Sequence, residues 1–114
     1  VSDCIFCKIV NRELPAEIVY ENESVFVFKD IKPVAPTHLL VIPKQHIENI
    51  GDPELLKNNL ATVLFAAIQR IAADFGLADA GFRVVVNRGL DAGEAVPHLH
   101  FHILAGRKLT WPPG

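Results

Sequence analysis

The run His98-Leu99-His100-Phe101-His102-Ile103-Leu104 alternates histidine with apolar residues, and this alternation constrains the fold more than any other feature of the chain. In a β-strand successive side chains point to opposite faces. As a strand, the segment sets three imidazoles on one face, roughly 7 Å apart, and buries Leu99, Phe101 and Ile103 on the other. A helix would scatter the same histidines around its circumference. The chain has five histidines in all, so this strand concentrates most of its near-neutral acid/base and nucleophilic capacity. By spacing alone the run suits metal ligation first, then nucleophilic or acid/base catalysis. A structural role comes last, since every buried imidazole needs hydrogen-bond partners.

At 114 residues the chain is expected to form one domain with a real core. A net charge of −2 lacks the basic excess of a protein that binds nucleic-acid polymers. It leaves room for a single nucleotide held by backbone amides. No apolar run approaches the length of a membrane span and the start carries no signal-peptide pattern, so the cytoplasm is the expected compartment. The two cysteines form one unit, Cys4-Ile5-Phe6-Cys7. A thioredoxin-like site would follow a strand, and one such pair does not make a disulfide framework. Half of a zinc site, completed by two ligands from elsewhere, is the better candidate, although the motif alone does not decide.

Residues 1–12 read as a short helix carrying the two cysteines, ended by Leu14-Pro15. Residues 18–21 and 25–29 are β-type runs joined by a turn at Asn22-Glu23. A proline-punctuated loop follows over 30–36. The wholly apolar 39–42 is expected to be a central strand covered on both faces. Asp52-Pro53-Glu54 has the form of a helix start, and apolar residues from Leu56 to Phe75 recur at three- and four-residue steps. One long helix is therefore expected over 52–75, terminated by Gly76. Residues 82–87 make a fourth strand and 98–104 the fifth. The loop between them contains Gly89 and Gly93, which either expose backbone N–H groups to an anion or simply permit a tight turn.

With its His-apolar-His-apolar-His-apolar-apolar signature at 98–104, the chain resembles the histidine-triad (HIT) family. The likeness extends to Phe28-Lys29-Asp30-Ile31, to Ala35-Pro36-Thr37-His38-Leu39-Leu40-Val41-Ile42-Pro43 and to Asn87-Arg88-Gly89. The tail over 106–114, closing on Trp111-Pro112-Pro113-Gly114, is similar to the Hint branch in particular. The resemblance covers essentially the whole chain as a single HIT domain. It implies an α+β, HIT-like fold: an antiparallel five-stranded sheet, one long helix and a short N-terminal helix. It also implies a homodimer that binds purine nucleotides of the AMP or GMP type and hydrolyses nucleoside phosphoramidates.

By family position His100 is the nucleophile, oriented by a backbone carbonyl near His98 and forming a nucleotidyl-histidine intermediate. The resemblance makes His102, Asn87 and the backbone amides of Gly93, Glu94 and Ala95 the groups that bind the phosphate. His38 completes the histidine cluster and assists leaving-group protonation. Asp30 accepts hydrogen bonds from the ribose hydroxyls, or else is only a turn aspartate. Phe6, Phe28 and Ile31 contact the base, or else belong to the core. Trp111 lies at the dimer interface beside the partner's site, or else on a frayed end. Ala95 departs from the family, where a serine is usual, and the resemblance then implies slower turnover. Cys4, Cys7, His46 and His98 match a structural zinc set seen in some bacterial members; no organic cofactor is expected. Two other functions stay open: a weakly catalytic or non-catalytic nucleotide sensor or scaffold, and a metalloenzyme ligating its ion through the triad. Dinucleoside-polyphosphate hydrolysis is disfavoured by the Hint-like tail.

Overall fold

The structure is a computed structural model that describes residues 3–114. Five strands form one sheet: β1 (Ile18–Glu21), β2 (Val25–Lys29), β3 (Thr37–Pro43), β4 (Arg83–Val86) and β5 (Phe101–Ala105). They lie in the order β1-β2-β3-β5-β4, and every neighbouring pair is antiparallel. Two helices complete the α+β architecture expected from the sequence, α1 (Ile5–Val10) and α2 (Leu60–Asp74). Among the described residues, no helix is long and apolar enough to cross a membrane.

The apolar strand β3 is central, and alternation divides its side chains between two cores. Leu39 and Val41 join Val25, Val27, Phe101 and Ile103 beneath α2, which contributes Leu64, Ile68 and Ile71. Leu40 and Ile42 join Phe26 and Phe28 on the opposite face, beneath Phe6 and Ile9 of α1. Each fully buried side chain of this size contributes about 1.5–3 kcal/mol relative to exposure. The sheet is therefore held by a long helix on one side and a short one on the other. Six residues make a helix too short to persist unaided, so the position of α1 depends on what its inward side chains touch.

The single helix expected over 52–75 is divided in the structure. Pro53–Leu56 form a 3₁₀ turn whose N-cap, Asp52, accepts the Glu54 N–H at 3.0 Å. Asn58 and Asn59 then take φ of 55° and 61°, and α2 begins at Leu60. Asparagine tolerates this left-handed geometry, and two such residues in succession cannot continue a right-handed helix. Leu56, which fits the apolar spacing, is 79% exposed and belongs to no core stripe. At the other end Gly76 has φ of 64°, and the Leu77 N–H reaches the Ala72 carbonyl at 2.9 Å in a Schellman closure.

The histidine run also differs from a strand over 98–104. Regular pairing starts at Phe101, opposite Val86, the last residue of β4. Ahead of it the His98 N–H turns back to the Val96 carbonyl, and the Leu99 N–H bonds the Ile47 carbonyl at 2.7 Å. The alternation survives: Leu99, Phe101 and Ile103 are buried in the α2-side core, while His98 and His100 meet Phe6 of α1.

Candidate active site and metal cluster

On the α1 side of the sheet lies a cavity of about 400 Å³. Phe6, Phe28, Asp30, Ile31, Ala95, His100 and His102 line it, so most of the residues expected around a nucleotide meet there. Ile5, Ile9, Leu40 and Val96 also line it; the sequence reading placed none of them at the site, since apolar residues carry no signal beyond core packing. The Phe6 ring packs edge-on against Phe28 at 5.7 Å and against His100 at 5.1 Å, fixing one wall.

The proton positions in this cavity follow from the backbone. A carbonyl only accepts, so His100 donates Nδ1–H to the carbonyl of His98 at 2.7 Å. The orienting carbonyl belongs to His98 itself, and neutral His100 keeps a free lone pair on Nε2. His38 is the reverse case. Its Nδ1 accepts the Val34 N–H at 3.1 Å, which leaves the proton of the neutral ring on Nε2. That nitrogen lies 2.9 Å from His102 Nδ1 and 3.3 Å from Asp30 Oδ2. His102 Nδ1 therefore accepts, and His102 carries its own proton on Nε2. Burial holds His102 down at about 4, with His100 and His38 adding to the effect and Asp30 opposing it. Burial also lowers His38, against the pull of Asp30. Both rings are neutral near pH 7.

His38 is buried and does not line the cavity; its Nε2–H points at His102 Nδ1. Asp30 does close a turn, accepting the Lys32 N–H on Oδ1 at 2.8 Å, and it also faces the cavity.

His98 is turned to a different task. Its Nε2–H donates to the Pro43 carbonyl at 2.9 Å, which leaves Nδ1 bare. Cys4 Sγ lies 3.2 Å and Cys7 Sγ 3.6 Å from that nitrogen, and Cys7 Sγ lies 3.3 Å from His46 Nδ1. All four donor atoms of Cys4, Cys7, His46 and His98 fall within 4.8 Å of one another, and both thiols are free. Metal–sulfur bonds of about 2.3 Å and metal–nitrogen bonds of about 2.05 Å at tetrahedral angles separate sulfur from nitrogen by roughly 3.5 Å. The set therefore fits a closed tetrahedral ion. Burial lowers His98 to about 4, keeping the ring in the neutral form that ligation needs. Burial, and then the neighbouring Cys4, raise the Cys7 thiol.

Several expected phosphate groups are not brought to the cavity. The Gly93 N–H bonds the Leu90 carbonyl at 3.0 Å and the Glu94 N–H bonds the Gly89 carbonyl at 3.1 Å. The Glu94 carboxylate accepts the Gly89 N–H, so these groups close the loop on itself. Ala95 is the residue of that stretch that faces the cavity. Asn87 is half-buried past the end of β4 and outside the cavity lining. Trp111 is 80% exposed on a tail tethered where Arg83 donates to the Thr110 carbonyl.

A family model described as the HIT domain matches residues 11–109. The chain belongs to the HIT domain family. An uncharacterized HIT-like protein of Synechococcus elongatus is 47% identical over 112 residues, 98% of this chain and 97% of the relative. Another from Synechocystis is 45% identical over the same shares. Among solved structures, a HIT family hydrolase from Legionella pneumophila superposes with a TM-score of 0.93 at 43% identity, covering 98% of this HIT domain and all of the other chain. A histidine triad protein from Clostridium difficile gives a TM-score of 0.91 at 45% identity, covering 96% of each chain. The cysteine pair of α1 precedes the stretch matched by the family model.

Proposed function

We propose that this protein is a nucleotide hydrolase of the Hint branch, cleaving the P–N bond of purine nucleoside phosphoramidates of the AMP–amine type. The observation that carries the reading is a single ring, His100, held by its Nδ1–H on a carbonyl and lining a cavity with neutral His102 beside it. Such a ring is a nucleophile at neutral pH.

In this reading His100 Nε2 attacks the α-phosphorus, the P–N bond breaks, and the amine departs with a proton from water. The nucleotidyl-imidazolium is stabilised by the His98 carbonyl, which accepts its Nδ1–H. His102 Nε2–H hydrogen-bonds a phosphoryl oxygen as negative charge gathers there. Water then attacks phosphorus, giving a proton to the hydroxide left by the first step, the P–Nε2 bond breaks, and the lone pair returns to His100. The net change adds one water across the P–N bond. Asp30 holds the ribose hydroxyls, and Phe6, Phe28 and Ile31 contact the base. Ala95 faces the cavity without a hydroxyl, which slows the reaction without weakening nucleotide binding.

Cys4, Cys7, His46 and His98 hold a structural zinc in this account, and the ion supplies cross-linking of α1 to the sheet rather than chemistry. The chain acts as a homodimer in the cytoplasm. β4 is an edge strand, and Val84 within it and Phe82 just before it are more than a third exposed, which favours a second copy there. Trp111 then shapes leaving-group preference across the interface.

Incubation with a fluorogenic adenosine phosphoramidate tests the hydrolase, with His100→Asn expected to abolish turnover while still binding AMP. The missing hydroxyl at Ala95 favours one second reading, a weakly catalytic nucleotide sensor. AMP binding with no turnover by the unsubstituted protein would select the sensor and sink the hydrolase.

A further inference from the structure

The peptide N–H of Val34 stands outside the histidine cluster, yet it decides where the cluster's protons lie. It donates to His38 Nδ1 at 3.1 Å, and His38 in turn meets His102 at 2.9 Å. Two neutral arrangements of this pair are self-consistent. In one, His38 carries its proton on Nε2 and His102 carries its own on Nε2, leaving a donor for the cavity. In the other, both protons move to Nδ1, His102 donates to His38, and His102 Nε2 becomes a lone pair. A lone pair set against a phosphoryl oxygen repels it. The Val34 N–H is compatible with the first arrangement alone, because a second N–H at His38 Nδ1 would face it head-on.

The next peptide group, joining Val34 to Ala35, is held from the other end of the chain, which restrains Val34 on the side away from its N–H. Arg107 Nε donates to the Val34 carbonyl at 3.1 Å. Immediately before it Gly106 sits at φ of 95°, and a Cβ there would lie 2.7 Å from Pro36 Cβ. Only a residue without a side chain lets the strand exit come this close to the loop. Pro33 and Pro36 bracket the segment, each with its own φ fixed, and Pro36 disfavours helical backbone at Ala35 before it. Ala35 is buried, whereas the Val34 side chain points to solvent at 58% exposure, so the peptide matters here and the side chain does not.

We propose that the Val34 N–H, on a residue restrained through its carbonyl by Arg107 and by the close approach of Gly106 to Pro36, is a positioning group that keeps the His102 proton on Nε2, facing the substrate phosphate. Neither Val34 nor Arg107 lines the cavity; both act through His38. The role of that proton rests on the hydrolase reading above, while its location does not.

Val34→Pro deletes the N–H and adds no group to the cavity. Arg107→Gln removes the clamp and leaves every backbone donor in place, so it serves if the proline variant does not fold. Ring-nitrogen chemical shifts from proton–nitrogen NMR report each tautomer without substrate. Unsubstituted protein should show His38 protonated on Nε2 and His102 likewise. Val34→Pro should show a mixture of the two arrangements and a kcat about fivefold lower, the scale of one neutral hydrogen bond, with AMP binding weakened by no more than the same factor. Arg107→Gln should move both readouts the same way by less. A wild-type His38 protonated on Nδ1 would overturn the inference, as would variants matching wild type in shifts and kcat. Unsubstituted protein that binds AMP and hydrolyses nothing would overturn the hydrolase reading and the positioning role together.

Discussion

Two side-chain clusters flank His100, and to a metal chemist both have a ligand composition: Cys4, Cys7, His46 and His98 on one side, Asp30, His38 and His102 on the other. They differ in which ring nitrogen the backbone claims. At His98 a carbonyl, that of Pro43, takes the N–H and leaves the inward nitrogen bare. At His38 an amide, that of Val34, takes the bare nitrogen and leaves the inward one protonated. A cation between His38 and His102 would have to displace that ring proton; a cation between His98 and the thiols meets a bare ring nitrogen and displaces only thiol protons. The lesson is that a carbonyl or an N–H behind the ring separates a metal site from a proton-handling site, where residue type does not.

Exchanging one ligand is the strongest way to break the comparison. Cys4→Ser should reduce bound zinc from about one ion per chain to near none and lower Tm on the order of 10 °C, by metal analysis and thermal denaturation. Asp30→Asn should leave zinc content unchanged; equal loss from both variants would erase the distinction. On the other side, His38→Ala leaves His102 Nδ1 without its donor and should cut kcat about tenfold while zinc is retained. Turnover at the wild-type rate would show that the second cluster handles no proton of consequence.

Acid sharpens the contrast more gently. In zinc-free protein His98 and His102 titrate at about 4, against about 6.5 in an unfolded chain. Between those values the unfolded state takes up protons that the folded state refuses, so stability is full above about 6.5 and declines as pH falls toward 4. The slope approaches about 1.4 kcal/mol per pH unit for each such histidine. Denaturant titrations from pH 7 downward should show this, and His102→Asn should flatten the slope. The smallest effect is expected at the cavity wall, where Ala95→Ser should raise turnover about fivefold and leave zinc and Tm untouched. A fall in rate would sink the proposed cost of the missing hydroxyl.

The sheet was legible in the sequence because alternation and apolar runs are local properties: residues 18–21 and 25–29 and the buried centre of β3 need only their own side chains to be recognised. The break at Asn58-Asn59 was not, because the apolar spacing runs through it and only tertiary packing shows that Leu56 faces water. The cavity residues His100, His102, Asp30, Phe6 and Phe28 could be named from motif and resemblance. The amides of Gly93 and Glu94 could not be judged, since glycines announce a permissive loop and not where its N–H groups point. Val34 left no trace at all; its contribution is a main-chain hydrogen, which every residue but proline carries.

His98 serves three masters: one ring nitrogen for the thiol cluster, the other for Pro43, and a carbonyl for the His100 ring. Any scan by alanine will therefore score position 98 as indispensable, and the score will mix lost cross-linking with a misaligned His100. Dissecting the protein calls for substitutions at the ends of those three tethers, where each thread can be cut alone.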